Sequence, residues 1–290
     1  MTTSSSPVAV AVVGCGLMGS GIAEVLSRAG RPVLVHEVDD AAAARGRARI
    51  EASVSRAVRS GKLDEAVGTE VLGRIEVGTD LDALASAELV IEAASEDEAV
   101  KTELFRRLDA LLVRDDAVLA SNTSSIPIMK LGTATRRPEQ VVGLHFFNPV
   151  PVLALVEVVP TLLTSEDTVK RVCHLAEDEL GKTVIRSQDR AGFIVNALLV
   201  PYLLSGVRML ESGFASARDS DAGMVKGCAH PMGPLQLSDL IGLDTVKAIA
   251  ESLYDEFKEP LFSPPPMLLR MVDAGLLGRK SGRGFYEYAR

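Results

Sequence analysis

Cysteine is scarce in this sequence. Its three cysteines, Cys15, Cys173 and Cys228, are odd in number and widely spaced. That argues against a disulfide framework or a metal site and fits a reduced, cytoplasmic protein without a metal. Long hydrophobic runs are missing too. VAVAVVG (residues 8–14) and IVNALLVPYLL (194–204) are too short or too interrupted to span a bilayer, so no membrane contact is expected. The first residues, MTTSSSP, have neither a basic stretch nor a cleavage site, so no secretory signal is expected. No basic stripe stands out and the formal charge is -8, which argues against nucleic acid as a partner. What remains is an ordinary globular composition, 47% apolar and 24% charged. At 290 residues the chain is near the size at which chains split into two domains.

Short Val- and Ala-rich runs alternate with helical spacing through the first two thirds. Val8–Val13, Pro32–Val35, Ile75–Val77, Leu89–Ala93, Ala117–Ser121 and Val141–Phe147 read as buried strands, with Ala154–Val159 and Thr183–Ile185 extending them. Leu17–Ala29, Ala41–Ser60, Glu98–Leu112 and Glu166–Leu180 read as helices, and another helical piece closes at Val71–Gly73. The alternation predicts an α/β fold with a Rossmann-type, doubly wound, mostly parallel sheet. After about Ser187 strand signals vanish. Gly192–Leu210, Ala217–Gly227, Leu235–Tyr254 and Pro266–Ala274 read as helices. This places a dinucleotide-binding domain over residues 1–188 and an all-α domain over 189–290.

The first strand runs into Gly14-Cys15-Gly16-Leu17-Met18-Gly19, a G-x-G-x-x-G that opens a helix. Alone the pattern is common. Here a strand precedes it, a helix follows it, and Glu37 ends the next strand. Gly14 allows the tight turn, Gly16 lets the backbone approach a pyrophosphate, and Gly19 lets helix and strand pack closely. Gly14, Gly16, Leu17, Met18 and Gly19 are therefore candidate cofactor contacts at a helix N-terminus. A carboxylate at Glu37 accepts from a ribose 2′-hydroxyl and repels a 2′-phosphate, which favours NAD over NADP.

His145 interrupts the apolar stretch VVGLHFFNPVPVLALVEVV (141–159), as does Glu157. Each could be a satisfied core residue. A single explanation covers both: an imidazole at the carboxyl end of a strand accepts a substrate proton, while Glu157 fixes its tautomer and stabilises the imidazolium. Ser121-Asn122-Thr123-Ser124-Ser125 sits at another strand end, where it reads equally as a turn or helix cap. Asn148 precedes Pro149, which biases it to extended backbone and could aim its side chain. With Asn122 it is counted among the candidate cofactor contacts. Asn196 interrupts the apolar helix GFIVNALL and reads also as a core amide.

At these residues the sequence resembles the L-3-hydroxyacyl-CoA dehydrogenase family, within it the short, single-function bacterial 3-hydroxybutyryl-CoA dehydrogenases, those of actinobacteria in particular. The resemblance runs in order through VVGCGLMGSGIAEV, VIEAASEDEAVKTELF, LASNTSSIPI, GLHFFNPVPVLALVEVV, DRAGFIVNALLVPYLL, HPMGPLQLSDLIGLD and GRKSGRGFYEY. It implies an NAD-binding domain and a helical domain that forms a homodimer, acting on an acyl-CoA. By motif, His145 matches the family's catalytic base, Glu157 its partner, Ser124 the substrate-contacting serine and Asn196 the active-site asparagine. Glu96 and Lys101 match positions that contact the nicotinamide half of the cofactor. The excursion that meets coenzyme A in the family here carries Ser53, Arg56, Arg59 and Lys62, which read equally as a solvated helix face. Two departures stand out. Ala191 replaces the family's usual proline, which predicts a looser linker, and Glu37 replaces the aspartate of many relatives. Two other functions fit parts of the pattern: a dehydrogenase of free or carrier-bound hydroxy acids, and a dinucleotide-binding sensor without catalysis.

Overall fold

A computed structural model describes residues 9–288 of the chain. The chain divides after Asp189 into two units.

The first unit runs β1 (Val10–Val13), α1 (Leu17–Arg28), β2 (Val33–His36), α2 (Asp40–Arg59), α3 (Glu65–Gly73), β3 (Ile75–Gly78), β4 (Leu89–Glu92), α4 (Glu98–Leu111), β5 (Val118–Ser121), α5 (Ile128–Thr133), β6 (Val141–Phe146), β7 (Leu155–Pro160), α6 (Glu166–His174) and β8 (Thr183–Arg186). Every residue of β1, β4, β5 and β6 is buried. Both faces of the sheet's centre are therefore covered, which is why these strands read as near-continuous apolar runs. Helix starts follow local chemistry. Asp39, Asp97 and Ser165 cap α2, α4 and α6 by accepting from Ala42, Val100 and Thr168 N–H at 2.7, 2.9 and 3.1 Å.

The eight strands lie in the order β3-β2-β1-β4-β5-β6-β7-β8. Pairings from β3 through β6 are parallel. β7 then runs antiparallel to β6, and β8 parallel to β7. The chain moves outward from β1 to β3, then returns to β4 on the other side of β1. The carboxyl ends of β1 and β4 thus flank a topological switch point, where doubly wound sheets hold their ligands. This is the Rossmann-type sheet that the alternation predicts. One helix differs from expectation. The segment 166–180 is α-helical only to His174 and widens into a π turn over Leu175–Glu179 before Gly181, at φ +62°, leads into β8.

The second unit is helical: α7 (Val195–Glu211), α8 (Ala217–Gly227), α9 (Pro234–Ile241), α10 (Leu243–Phe257) and α11 (Pro266–Asp273). Its core gathers Leu203, Leu204, Val207, Leu235, Leu243 and Leu253. Two expected helices differ. α7 starts three residues late, because Gly192 and Phe193 have φ of +73° and +48°, outside the right-handed helical region. The expected helix 235–254 is two helices, broken at Gly242 with φ +104°. Asp239, buried, accepts from Phe285 and Tyr286 N–H and from Tyr288 O–H, each at 2.9 Å, and so clasps the last described residues. The expectation of a looser linker at Ala191 is overturned. Its N–H, which proline would lack, donates to Glu256 Oε2 at 2.6 Å. Arg190 adds a 2.8 Å bond to Oε1 and stacks 4.6 Å from the Phe257 ring. The substitution ties the segment to α10.

Candidate active site

β1 meets the phosphate loop at Gly14, whose φ is +89°. A Cβ there would lie 2.6 Å from Ala93 O, and one on Gly19 would lie 1.8 Å from Gly14 O. Only glycine fits either position. α1 then begins with no side-chain cap and no acidic residue in its first turn. Its first N–H groups and the positive end of its dipole suit an anion. Apart from Gly16 and its immediate chain neighbours, nothing lies within 4 Å of a Cβ built there, so a pyrophosphate has room to approach. Leu17 is exposed, while Met18 packs against the core.

Glu37 follows β2 directly. Its Oε1 accepts from Cys15 N–H at 2.5 Å and its Oε2 from Val38 N–H at 3.2 Å. The carboxylate is thereby anchored beside the loop, where a ribose would lie. Burial, and then the Glu37 charge, push the Cys15 thiol up to about 11, so it stays protonated and inert at neutral pH.

The ends of β4 and β5 carry a polar network that sequence reasoning missed in part. Glu92, fully buried, accepts from Lys101 Nζ at 2.5 Å, Ser121 Oγ at 2.6 Å and Ala94 N–H at 2.7 Å. Glu92 interrupts an apolar strand just as Glu157 does, and that signal could have found it. Lys101 is itself buried, with its ammonium 3.4 Å from Glu96 Oε2. Glu96 Oε1 accepts from Thr123 Oγ1 at 2.6 Å, from Ser124 and Ser125 N–H at 2.9 and 3.2 Å, and from Ser125 Oγ at 3.0 Å. It also accepts from Ser124 Oγ at 3.3 Å. Burial pushes the Glu96 carboxyl up, but the Lys101 charge and these donors together outweigh it and hold it below the usual range.

A depressed carboxyl stabilises the fold above its unfolded value, and that contribution disappears as pH falls through the folded value. Wild type should therefore exceed Glu96→Gln in denaturant midpoint above the ordinary carboxylate range, with the two converging as pH falls below it. A gap that stays constant across that range, followed by urea unfolding, would refute the charge-based account.

His145 and Glu157 face each other directly in the antiparallel β6·β7 register. His145 Nδ1 lies 2.7 Å from Glu157 Oε2, and both residues are buried. A carboxylate on Nδ1 places the proton there and leaves Nε2 as the basic nitrogen. The ring sits 4.6 Å from that of Phe147. Asn122 braces the neighbourhood: its Oδ1 accepts from Phe146 N–H and its N–H donates to Glu92 O, both at 2.8 Å.

A groove in this unit is lined by Leu17, Ser20, Arg49, Ser53, Arg56 and Asn148, with neighbours. Ser53 and Arg56 thus share a surface with the phosphate loop's helix. Arg59, at the end of α2, and Lys62 do not line it. Arg49 does, and it donates to Cys15 O at 3.3 Å; the sequence reading overlooked it because α2 carries basic residues throughout. Asn196 is buried in the first turn of α7, in the second unit. Among the described residues, no group of three His, Cys, Asp or Glu side chains could hold a metal ion, and no helix is long and apolar enough to cross a membrane.

Comparison with known proteins adds to this geometry. Residues 9–190 match the family model "3-hydroxyacyl-CoA dehydrogenase, NAD binding domain", and residues 192–288 match "3-hydroxyacyl-CoA dehydrogenase, C-terminal domain". The chain is 59% identical to the 3-hydroxybutyryl-CoA dehydrogenase of Mycobacterium tuberculosis over 279 residues, 96% of this chain and 98% of that one. It is 40% identical to human mitochondrial hydroxyacyl-coenzyme A dehydrogenase over 286 residues, 96% of this chain and 90% of that one. The crystal structure of (S)-3-hydroxybutyryl-CoA dehydrogenase from Ralstonia eutropha superposes with a TM-score of 0.92 at 42% identity, covering 98% of this chain and all of that one.

Proposed function

The chain belongs to the 3-hydroxyacyl-CoA dehydrogenase family, and we propose that it interconverts (S)-3-hydroxybutyryl-CoA and acetoacetyl-CoA by hydride transfer. It is an NAD-dependent enzyme of that family. The observation that carries the reaction is the 2.7 Å contact between His145 and Glu157 at the carboxyl end of β6. The open phosphate loop and the anchored Glu37 fit the cofactor. Bound there, NAD supplies a hydride acceptor for the substrate's carbinol carbon. His145 takes the hydroxyl proton as the carbon–hydrogen bond breaks, and returns it in the reverse reduction. Glu157 fixes the tautomer and stabilises the imidazolium that forms.

Ser124 and Asn196 hold the reacting oxygen or the thioester carbonyl. Glu96 and Lys101 contact the nicotinamide half of the cofactor, Asn122 and Asn148 are further cofactor contacts, and Lys101 also pairs with Glu92 and Glu96. Ser53, Arg56, Arg59 and Lys62 meet the coenzyme A phosphates; the groove along α2 supports this for the first two. The same reading makes the enzyme a cytoplasmic homodimer paired through its helical domain. Exposed Leu198 and Phe214 in that domain support the pairing, and sedimentation of the purified chain reads it.

Absorbance of the reduced cofactor tests the function. Acetoacetyl-CoA with NADH should give fast oxidation. NADPH in place of NADH, or free acetoacetate in place of the thioester, should give slow turnover or none. No oxidation with the thioester and NADH would end the reading.

A further inference from the structure

The connection between β6 and β7 spans residues 147–154, and four of its residues, Asn148 to Pro151, line the groove together with Arg49, Ser53 and Arg56. It is a strap with little side-chain anchorage at its far half: Val152 and Leu153 are 65% and 41% exposed. Both donate their N–H to Pro149 O at 2.9 Å, closing a tight turn. Two contacts hold that turn to the rest of the unit. Val150 is buried against α1, so closely that a Cβ on Gly21 would come within 2.9 Å of Val150 Cβ. Lys182, just before β8, donates its Nζ to Val150 O at 2.6 Å and to Leu153 O at 2.7 Å.

A charged donor spanning two carbonyls of one turn is a firmer tie than a neutral bond. Burial, and then the neighbouring Arg28 charge, push the Lys182 pKa down, so the ammonium is held there against its own preference for water. The strap also joins the two strands that carry His145 and Glu157.

We propose that Lys182 is a positioning residue: by tying the carbonyls of Val150 and Leu153 it sets the strap as the groove wall against which the acyl-CoA binds, without touching substrate. This rests on the acyl-CoA reading above.

Lys182→Met and Lys182→Arg, each compared with wild type, test it. Amide hydrogen exchange over residues 147–154 reads the tie directly. The Met variant should speed that exchange and raise KM for acetoacetyl-CoA about tenfold, with kcat and KM for NADH within about twofold of wild type. The Arg variant, which can still donate to both carbonyls, should restore most of the loss. Unchanged strap exchange overturns the proposal, as does faster exchange with unchanged KM for the thioester. A parallel rise in both KM values overturns it too, since that is a general loss of structure. Should the Met variant fail to fold, Lys182→Gln removes the charge and shortens the reach to the two carbonyls while keeping a polar side chain. The same split between the two KM values is expected there, and its absence is decisive against the proposal. Wild type that does not oxidise NADH with acetoacetyl-CoA would instead bring down the acyl-CoA reading, and with it the substrate half of the proposal.

Discussion

His145→Gln should lose about two to four orders of magnitude in kcat, the range that a positioned general base supplies. Glutamine is close in size and can still hydrogen-bond Glu157 from the same strand position. The fold and the 2.7 Å contact's local packing should therefore survive. What glutamine lacks is a nitrogen that takes a proton. The loss should fall on kcat and kcat/KM alike, the mark of an interaction made in the transition state. Affinity for NADH should not move, because the phosphate loop and Glu37 lie on other strands. Turnover within about tenfold of wild type, with normal NADH binding, would remove His145 from the mechanism. It would then be a core histidine whose partner happens to be a carboxylate.

Glu92→Ala should cost the first unit a large share of its stability. The side chain is fully buried and is the nearest counter-charge to the buried Lys101 ammonium, at 2.5 Å against 3.4 Å for Glu96. Removing it leaves a cation in the interior and also strands Ser121 Oγ and Ala94 N–H. Breaking a buried pair from one side costs about 3–5 kcal/mol. Removing both charges together, as Glu92→Leu with Lys101→Met, should recover most of that, because an apolar pair of similar volume carries no desolvation penalty. Urea unfolding of the three proteins measures it. A Glu92→Ala loss under about 1 kcal/mol would mean that the ammonium finds water or Glu96 instead. A double variant as unstable as the single one would point to the lost hydrogen bonds rather than the orphaned charge.

The sequence displays these features at different levels of clarity. The strand–helix alternation is legible because buried parallel strands leave apolar runs and their helices leave periodic ones. The phosphate loop is legible because sterics force its first and third motif glycines, as the close approaches at Gly14 and Gly19 demonstrate. Charges inside apolar strands are legible as well, at Glu157 and equally at Glu92. Strand direction is not. Nothing in LVEVVP declares that β7 runs against β6, and that direction is what sets Glu157 opposite His145. The break at Gly242 and the left-handed Phe193 were hidden because apolar spacing continues across both. Lys182 was hidden for another reason: its partners are backbone carbonyls, which carry no residue code.

The antiparallel hairpin of β6 and β7 joins a register that must hold to a connection that need not. Side chains in a ladder alternate with a period of two, so a slip of one residue within either strand would turn Glu157 away from His145. The strap between them obeys no such rule. Residues can be added or removed there while the ladder closes in the same register behind it. Because that strap is also a wall of the groove, a change in its length would widen or narrow the groove while the His145–Glu157 register stayed in place.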